Sequence, residues 1–349
     1  MPIDIVLPRL NSYKFTYNKS HSEPCEGVFL NMGTLKKAIA VLLLFIAGVF
    51  LVRVYWPDII PILGESLKIL SQTRIRYFIL AFLVYLLSVY LFAARWQQVL
   101  CSIGYDLKAI NLVPVIFGGM FANNLTPASR TGGEPLRIFW INKRFGVRYT
   151  DGFISILFER LVEAIPISIL SIYVLYSFPS LEIKFLPIKN SLTLNSTYLL
   201  LLDFFAAGFT IWLFRARFSS LLNNVQQNWR QLRKSFIAVL LLSSGVWVLD
   251  IIRLKLIALA LELPLSLYLI ATVSILYLLI GSLPITPGGL GIVEGGLISI
   301  LLYFGLPLAS ASSFVFLERF ISFGLSSVIG FLYLFYYGGF KIWKSAKLH

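Results

Sequence analysis

Ionisable side chains lie inside the most apolar stretches of this chain, where they are costly. On insertion scales, a charged residue at the centre of a membrane helix costs about 2.5–3.5 kcal/mol, so such residues default to functional roles. An arginine there can bind a phosphate through two parallel hydrogen bonds, and a carboxyl group can hold that arginine or engage a proton. The residues concerned are Glu134, Glu159, Arg160, Glu163, Asp250, Arg253, Glu294, Glu318 and Arg319.

Most of these residues belong to a pattern that occurs twice. Each copy has a Thr-Pro pair, a glutamate seven residues after the proline, and a Glu-Arg pair 24 or 25 residues further on. The two copies are Thr126-Pro127, Glu134, Glu159-Arg160 and Thr286-Pro287, Glu294, Glu318-Arg319. The chain has no other Thr-Pro or Glu-Arg pair. Duplicated, interrupted apolar segments are typical of the binding site of a transporter with two related halves.

The first copy has a glycine-rich break that suits an anion. Gly132-Gly133 precedes Glu134 at the predicted start of a helix. A helix that starts within the membrane presents free N–H groups and the positive end of its dipole, which suit a phosphate or a carboxylate. Arg130 and Arg137 flank this tip and can add bidentate contacts to a phosphate.

The second tip is built on Thr286, Pro287, Gly288 and Gly289. It offers the same backbone without a cation, so the predicted cavity is electrically asymmetric. Close helix packing is the other explanation for such glycines, because membrane helices commonly associate through small residues. Packing is the preferred explanation for the glycine pair that follows Glu294.

The two Glu-Arg pairs need partners on other segments. Neighbouring helix residues point about 100° apart, so Glu159 cannot pair with Arg160 within its own helix. The hairpins are the predicted partners. Asp250 and Arg253, three residues apart, are predicted to share one helix face. The alternative explanation of all these charges is a set of structural ion pairs that fix helix register.

The elements that must position these residues are membrane helices. Of 349 residues, 58% are hydrophobic and 13% charged, and the mean hydropathy is +0.83, more than one water-soluble core can bury. The net charge of +14 comes from short Lys/Arg clusters between apolar runs, as in cytoplasmic loops, so nucleic acid is not a predicted partner. With two histidines, two cysteines and no acidic cluster at metal spacing, no metal and no cofactor are predicted.

The predicted elements alternate long apolar runs with two interrupted hairpins. Runs long enough to cross a hydrocarbon layer of ~30 Å occur at 35–56, 77–94, 151–178, 198–214, 236–260 and 309–337. The hairpin arms are 111–125 with 134–145, and 267–283 with 290–304. The arm 134–145 is short and basic, so a re-entrant half-helix suits it better than a full span. Arg95 is interpreted as the polar boundary of one span.

The predicted fold class is an all-α polytopic membrane protein with two pseudo-symmetric halves. Each half has three spanning helices and one broken re-entrant hairpin, which makes the halves inverted. The predicted divisions are a poorly ordered cytosolic tail (1–34), two membrane repeats (35–190 and 191–340) and a basic cytosolic tail (341–349). An alternative in which every hairpin arm crosses the membrane is hardly distinguished by the loop charges.

Four blocks of the sequence resemble a known family. They are 123–137 (NNLTPASRTGGEPLR), 158–162 (FERLV), 283–296 (LPITPGGLGIVEGG) and 317–319 (LER). Together they resemble the lysylphosphatidylglycerol synthase transmembrane, or flippase-like, family over nearly all of residues 35–340. In bifunctional bacterial members, this membrane part moves an aminoacylated phospholipid across the bilayer, and a separate soluble domain makes that lipid. The sequence ends at His349 without such a domain, so aminoacyl transfer is not expected. Some archaeal stand-alone members are linked to polyprenyl-phosphate glycan pathways.

The predicted function is binding and translocation of an anionic phospholipid or a polyprenyl-phosphate-linked lipid in the cell membrane, without enzymatic activity. The predicted binding residues are Arg130, Gly132, Gly133, Glu134, Arg137, Glu159, Arg160, Thr286, Pro287, Gly288, Gly289, Glu294, Glu318 and Arg319. Alternatives are a membrane-embedded transferase, with Glu159 and Glu163 as the nearest acid pair, or an accessory subunit in lipid-linked glycan or envelope lipid synthesis. Predicted partners are the lipid, a second copy of the chain or a lipid-pathway enzyme.

Overall fold

The computed structural model describes residues 53, 60–126, 132–177, 181–183, 192–194, 215–282 and 286–337. All elements given below lie in one compact unit that begins at Ile60. The predicted spans at 35–56 and 198–214 lie outside the described residues, apart from Arg53. The two predicted tails and Arg130 also lie outside them.

The described residues are nearly all helical, as predicted. In chain order the helices are α1 (Ile75–Ser102), α2 (Ala109–Leu125), α3 (Gly133–Phe145), α4 (Tyr149–Ser177), α5 (Arg215–Ala260), α6 (Leu267–Ser282), α7 (Ile292–Tyr303), α8 (Leu308–Arg319) and α9 (Ser326–Tyr336). Residues 60–71 are helical too. A π-helical turn, Phe320–Leu325, joins α8 to α9. The departure from an all-helical fold is one antiparallel pair of short strands, β1 (Leu181–Ile183) and β2 (Leu192–Leu194).

Three helical segments of the described residues are long and apolar enough to cross a membrane. They are α1, the Gln231–Ala260 part of α5, and the continuous helix Leu308–Tyr336. The predicted span 151–178 corresponds to α4, which has 29 residues but carries four ionisable side chains. The second arms of the hairpins are shorter. With 13 residues in α3 and 12 in α7, each rises only about 20 Å along its axis.

Helix α5 is longer than the sequence analysis predicts. The apolar run predicts a span that begins at residue 236, but one helix of 46 residues runs from Arg215 to Ala260 and so adds the stretch 215–235. The stretch contains neither glycine nor proline. Nothing therefore ends the helix at the point where the apolar run ends.

Helices α1 and α5 pack along each other more extensively than any other pair of described elements. The buried face of α1 has a residue at every fourth position: Ala81, Tyr85, Val89 and Ala93. The two alanines let the partner helix approach closely, as is usual where helices associate in lipid. Each helix directly precedes a hairpin, so equivalent elements of the two predicted repeats are in contact.

Glycines set the separation between the arms of the first hairpin. A Cβ on Gly133 would collide with the carbonyl oxygen of Gly119 and would lie 2.8 Å from Asn123 Oδ1. Close packing therefore explains Gly133. Packing also explains Gly296, where a Cβ would lie 2.6 Å from Ile280 Cδ1.

A polar corner joins α3 to α4. The hydroxyl of Tyr105 donates to Asp151 Oδ2 at 2.6 Å, and Arg148 Nε donates to the same oxygen at 2.9 Å. Asp151 is buried in the first turn of α4, where the helix dipole also favours a carboxylate. Its hydrogen bond raises the pKa of the Arg148 guanidinium above the ordinary value for arginine.

Replacing Asp151 with alanine is expected to lower the free energy of unfolding by about 1–3 kcal/mol, because the part-buried Tyr105 hydroxyl loses its acceptor. Thermal unfolding of the purified protein in detergent measures the change. The Arg148→Ala variant should unfold at nearly the same temperature as the unaltered protein, because the Arg148 side chain is 76% exposed and is solvated by water. Equal losses in the two variants would contradict this account of the corner.

Candidate functional site

Six charged residues of the predicted first repeat (35–190) form one network. Glu159 accepts hydrogen bonds from Arg95 Nε and Arg137 Nη2, both at 3.1 Å, and all three side chains are at most 5% exposed. The neighbouring Arg160 points elsewhere and donates to Glu134 Oε1 at 2.9 Å. The predicted divergence of this Glu-Arg pair, with the arginine directed to the hairpin, is confirmed.

Glu163 completes the first network. Its Oε2 accepts hydrogen bonds from Arg160 Nη1 at 2.8 Å and from Arg95 Nη2 at 3.5 Å. Arg95 also donates to Ser243 Oγ at 3.2 Å, which connects the network to α5. The first repeat therefore places three arginines against three glutamates.

The predicted second repeat (191–340) contains a network with a similar plan. Arg319 Nε donates to Glu294 Oε1 at 2.6 Å, and Arg253 Nη1 donates to Glu318 Oε1 at 3.2 Å. Arg253 also donates to Asp250 Oδ1, at 2.6 Å through Nη2, which confirms the predicted pair on one helix face. Equivalent partners have nearly equal separations along the chain: 64 and 65 residues for the buried pairs, and 26 and 25 for the hairpin pairs.

The two networks differ at three equivalent positions. Three residues after the hairpin glutamate, the first repeat has Arg137 and the second has Leu297. Four residues after the buried glutamate, the first has Glu163 and the second has Ser322. Three residues before the α1 or α5 arginine, the first has Phe92 and the second Asp250. The second repeat is thus left with two arginines and three carboxyl groups.

The N-terminal N–H groups of the returning arms are partly occupied. The N–H of Gly133 donates to Asn123 Oδ1 at 2.7 Å, and the N–H of Gly291 donates to Glu294 Oε2 at 2.6 Å. The sequence analysis predicts free N–H groups here for a phosphate, and for these two donors that prediction is wrong. The first N–H groups of a helix have no acceptor within the helix, and here side chains of the same hairpin supply one.

The second tip contacts the first hairpin. Gly288 has a φ of +58°, and a Cβ there would lie 2.9 Å from the carbonyl oxygen of Asn124. Arg319 Nη2 donates to the carbonyl oxygen of Gly288 at 2.9 Å. Asn124 in turn donates to Ser327 Oγ of α9 at 2.8 Å. The two hairpins and the last helix therefore meet at this contact.

The other predicted tip residues take no part in the ion pairs. Gly132 packs against the Thr126 side chain, and Gly289 has a φ of +72°. Pro287 is exposed. Thr286 Oγ1 is buried and has no hydrogen-bond partner among the described residues.

Two cavities adjoin these networks, with volumes of about 290 and 230 Å³. They share Tyr85, Phe92, Met120, Glu163, Asp250 and Tyr277 as lining residues, and together they are called the chamber below. The larger cavity is lined by residues of helices α1 to α6 and of the π-helical turn. Its cations are Arg137, Arg160 and Arg253, whereas Arg319 lines neither cavity. The chamber is therefore lined by both predicted repeats.

Arg137 is the lining arginine with a spare donor. Its guanidinium carbon lies 4.1 Å from the ring centroid of Trp96 and 5.1 Å from that of Phe92, so two aromatic faces hold it. Nη2 is bound to Glu159, but the buried Nε has no hydrogen-bond partner among the described residues. An unpaired buried guanidinium N–H is costly, so this position favours an incoming acceptor.

Four charged residues of these networks are absent from the binding set predicted from the sequence. Arg95 is interpreted as a span boundary, and that interpretation is wrong, because the side chain is fully buried against Glu159. Its spacing to Glu159 matches that of Arg253 to Glu318, which is the signal that identifies it. Glu163, Asp250 and Arg253 line the chamber but are absent from the predicted binding set. Among the described residues, no group of three His, Cys, Asp or Glu side chains can hold a metal ion.

Comparison with known proteins confirms the resemblance. The family model described as the lysylphosphatidylglycerol synthase TM region matches residues 38–330. A UPF0104 membrane protein of Methanothermobacter thermautotrophicus is 27% identical over 264 residues, covering 67% of this chain and 77% of the relative. A UPF0104 membrane protein of Pyrococcus horikoshii is 25% identical over 338 residues, covering 88% of this chain and 97% of the relative. No solved structure matches the chain.

Proposed function

Because the chain belongs to the lysylphosphatidylglycerol synthase TM region family of membrane proteins, we propose that it binds the headgroup of an anionic lipid and moves that lipid between leaflets. The lipid is a phospholipid or a polyprenyl-phosphate-linked lipid, and the membrane is the cell membrane. The observation that carries the proposal is the larger cavity of about 290 Å³, with three arginines in its lining. Buried arginines are the preferred ligands of phosphate groups in a low-dielectric site.

The proposal gives the lining arginines different roles. Arg137 offers a donor that no described residue uses, so it is the first contact for a phosphate oxygen. The Arg160–Glu134 pair is the most open of the chamber pairs, with the two side chains 33% and 29% exposed. A phosphate that replaces Glu134 on Arg160 removes the more exposed of two ion pairs between α3 and α4, and the buried Arg137–Glu159 pair still joins the two helices. Binding would therefore loosen the contact between the hairpin and α4 without breaking it.

The membrane arrangement is part of the same proposal. We infer inverted halves with re-entrant hairpins and cytosolic termini. Two features support this: α3 and α7 are too short to cross ~30 Å of hydrocarbon, and the ion-pair plan is repeated. Short helices that end within a membrane are tolerated where they line a polar cavity, and Glu134 and Arg137 of α3 line this one.

A transferase is disfavoured by the geometry of its best candidate base. Both oxygens of Glu159 already accept hydrogen bonds from arginines, so its lone pairs are not directed at a substrate. The other alternative is an accessory subunit, alone or with a pathway enzyme. Direct measurement of lipid movement distinguishes such a subunit from a protein that translocates lipid.

Lipid movement can be measured in proteoliposomes that contain fluorescent phosphatidylglycerol, with a membrane-impermeant quencher added outside. The unaltered protein is expected to move the probe, and Arg160→Ala to slow it at least tenfold, because Arg160 lines the larger cavity and a hydrogen bond to a charged group contributes about 1.5–3 kcal/mol. Arg74→Ala is the matched control, because the Arg74–Glu262 pair is exposed and neither residue lines the chamber.

Two results would overturn the proposal. If the unaltered protein moves no anionic probe, the accessory-subunit alternative is favoured. If Arg160→Ala retains the unaltered rate, this lining arginine has no part in translocation.

A further inference from the structure

Among the described residues, the charges of the two networks are not balanced. The two networks contain five arginines, Arg95, Arg137, Arg160, Arg253 and Arg319. They contain six carboxyl groups, those of Glu134, Glu159, Glu163, Asp250, Glu294 and Glu318. An anionic headgroup would enter a region that already has one negative charge too many if every acid is ionised. Burial in a low-dielectric site makes that combination costly.

The imbalance is located in the second repeat. Asp250 and Glu318 share the single guanidinium of Arg253. In the first repeat, by contrast, Glu159 alone has two arginines, one on each oxygen. The second repeat has no equivalent of Arg137, since Leu297 stands at that position.

The two acids on Arg253 are not equally well held. Asp250 accepts hydrogen bonds from Arg253 on Oδ1 and from Ser274 Oγ on Oδ2, at 2.6 and 2.7 Å. Glu318 is fully buried and accepts one hydrogen bond, from Arg253 Nη1 at 3.2 Å. Its Oε2 has no hydrogen-bond partner among the described residues.

We propose that Glu318 is a proton-binding site: an anionic headgroup takes Arg253 Nη1 away from Glu318, and a proton binds to the free Oε2 of Glu318. This inference rests on the proposed function, because it supposes that the chamber binds an anion. Arg253 lines the chamber and is therefore within reach of a headgroup. Once Arg253 turns to the ligand, an ionised Glu318 is buried without a donor, and protonation removes that charge. One negative charge and one proton then enter together.

The surroundings of Glu318 favour a proton over a metal ion. The charged or titratable groups that face it are Arg253 and Asp250 on α5, Tyr85 on α1, Tyr277 on α6, and Arg319 on its own helix. The two tyrosines are uncharged near neutral pH, and the arginines are cations. A hard metal cation needs several oxygen ligands, and the described residues contain no group of three acidic, His or Cys side chains for one.

The test is calorimetry of the full-length protein in detergent, with short-chain phosphatidylglycerol as the probe and two buffers of different protonation enthalpy. We expect uptake of about one proton per bound probe, so affinity falls about tenfold for each unit of rising pH over the range of full uptake. Glu318→Gln is expected to bind the probe with no proton uptake and no pH dependence. Glu262→Gln, which changes the same residue type in an exposed pair with Arg74, should retain both.

Three outcomes would overturn the inference. Unaltered protein that binds the probe without taking up a proton excludes coupling at any site, and this measurement decides even if Glu318→Gln does not fold. Loss of uptake in Asp250→Asn with uptake retained in Glu318→Gln would place the proton on the other acid. Absence of probe binding at every pH would remove the proposed function, and the proton site with it, whereas binding without uptake leaves the proposed function intact.

Discussion

Replacing Glu159 with glutamine is expected to destabilise the protein by about 3–5 kcal/mol, the cost of leaving a buried charge without its partner. Glu159 is the sole described carboxylate that accepts hydrogen bonds from both Arg95 and Arg137, and all three side chains are nearly inaccessible to water. A glutamine keeps the shape but leaves two cations facing a neutral amide. Unfolding in detergent, followed by helical circular dichroism, measures the loss, and poor recovery of folded protein is the expected qualitative sign.

Two comparison variants make this prediction specific to buried charge. Glu134→Gln removes a carboxylate that is 29% exposed and pairs with one partly exposed arginine, so its cost should be nearer 1 kcal/mol. The double variant Glu159→Gln/Arg137→Gln should recover part of the lost stability, because it removes Arg137, whose one ion pair among the described residues is with Glu159, whereas Arg95 keeps Glu163. If the single variant is as stable as the unaltered protein, water reaches this network and the burial argument fails.

Replacing Gly133 with alanine is expected to cost about 2–4 kcal/mol, as the sum of overpacking and a weakened helix start. The added methyl group would collide with the backbone of Gly119 and would lie 2.8 Å from Asn123 Oδ1. Asn123 cannot turn aside freely, because the same oxygen accepts the N–H of Gly133. The arms of the first hairpin must therefore separate. The midpoint of thermal unfolding in detergent measures the effect.

The matched control is Gly295→Ala in the equivalent arm of the second hairpin. No atom lies within 4 Å of a Cβ placed there, so no neighbour has to move. Since alanine favours a helix over glycine by about 1 kcal/mol, this variant should be neutral or slightly more stable. A Gly133→Ala protein that matches Gly295→Ala in stability would show that the arms are further apart than described.

The sequence predicts the plan of the candidate site because helix geometry constrains it strongly. Adjacent residues such as Glu159 and Arg160 must face different neighbours, and each hairpin glutamate lies a fixed distance from its arginine along the chain. These two facts are sufficient to expect partners on the hairpins for the two Glu-Arg pairs, and the structure gives the individual pairs, Arg160–Glu134 and Arg319–Glu294. The hairpin arms follow from the Gly/Pro breaks with similar directness, since those residues interrupt helices.

The rest depends on contacts that composition does not reveal. Arg95 follows an apolar run and looks like a boundary residue, because burial of an arginine depends on a glutamate 64 residues away. The N–H of Gly133 looks free in the sequence, because its acceptor, Asn123, belongs to the other arm. The start of α5 looks like a loop, because its residues are polar, and polarity shows where a membrane ends more reliably than where a helix ends.

The 46-residue length of α5 has a mechanical consequence. At 1.5 Å per residue the helix is about 69 Å long, more than twice the ~30 Å of a hydrocarbon layer, so even a strong tilt leaves a large part of it outside. Asp250 and Arg253, which line the chamber, lie in the apolar part of α5, Gln231–Ala260, and the same helix continues for 16 residues before that part. Any force or contact that tilts the N-terminal end of α5 therefore also moves the guanidinium of Arg253.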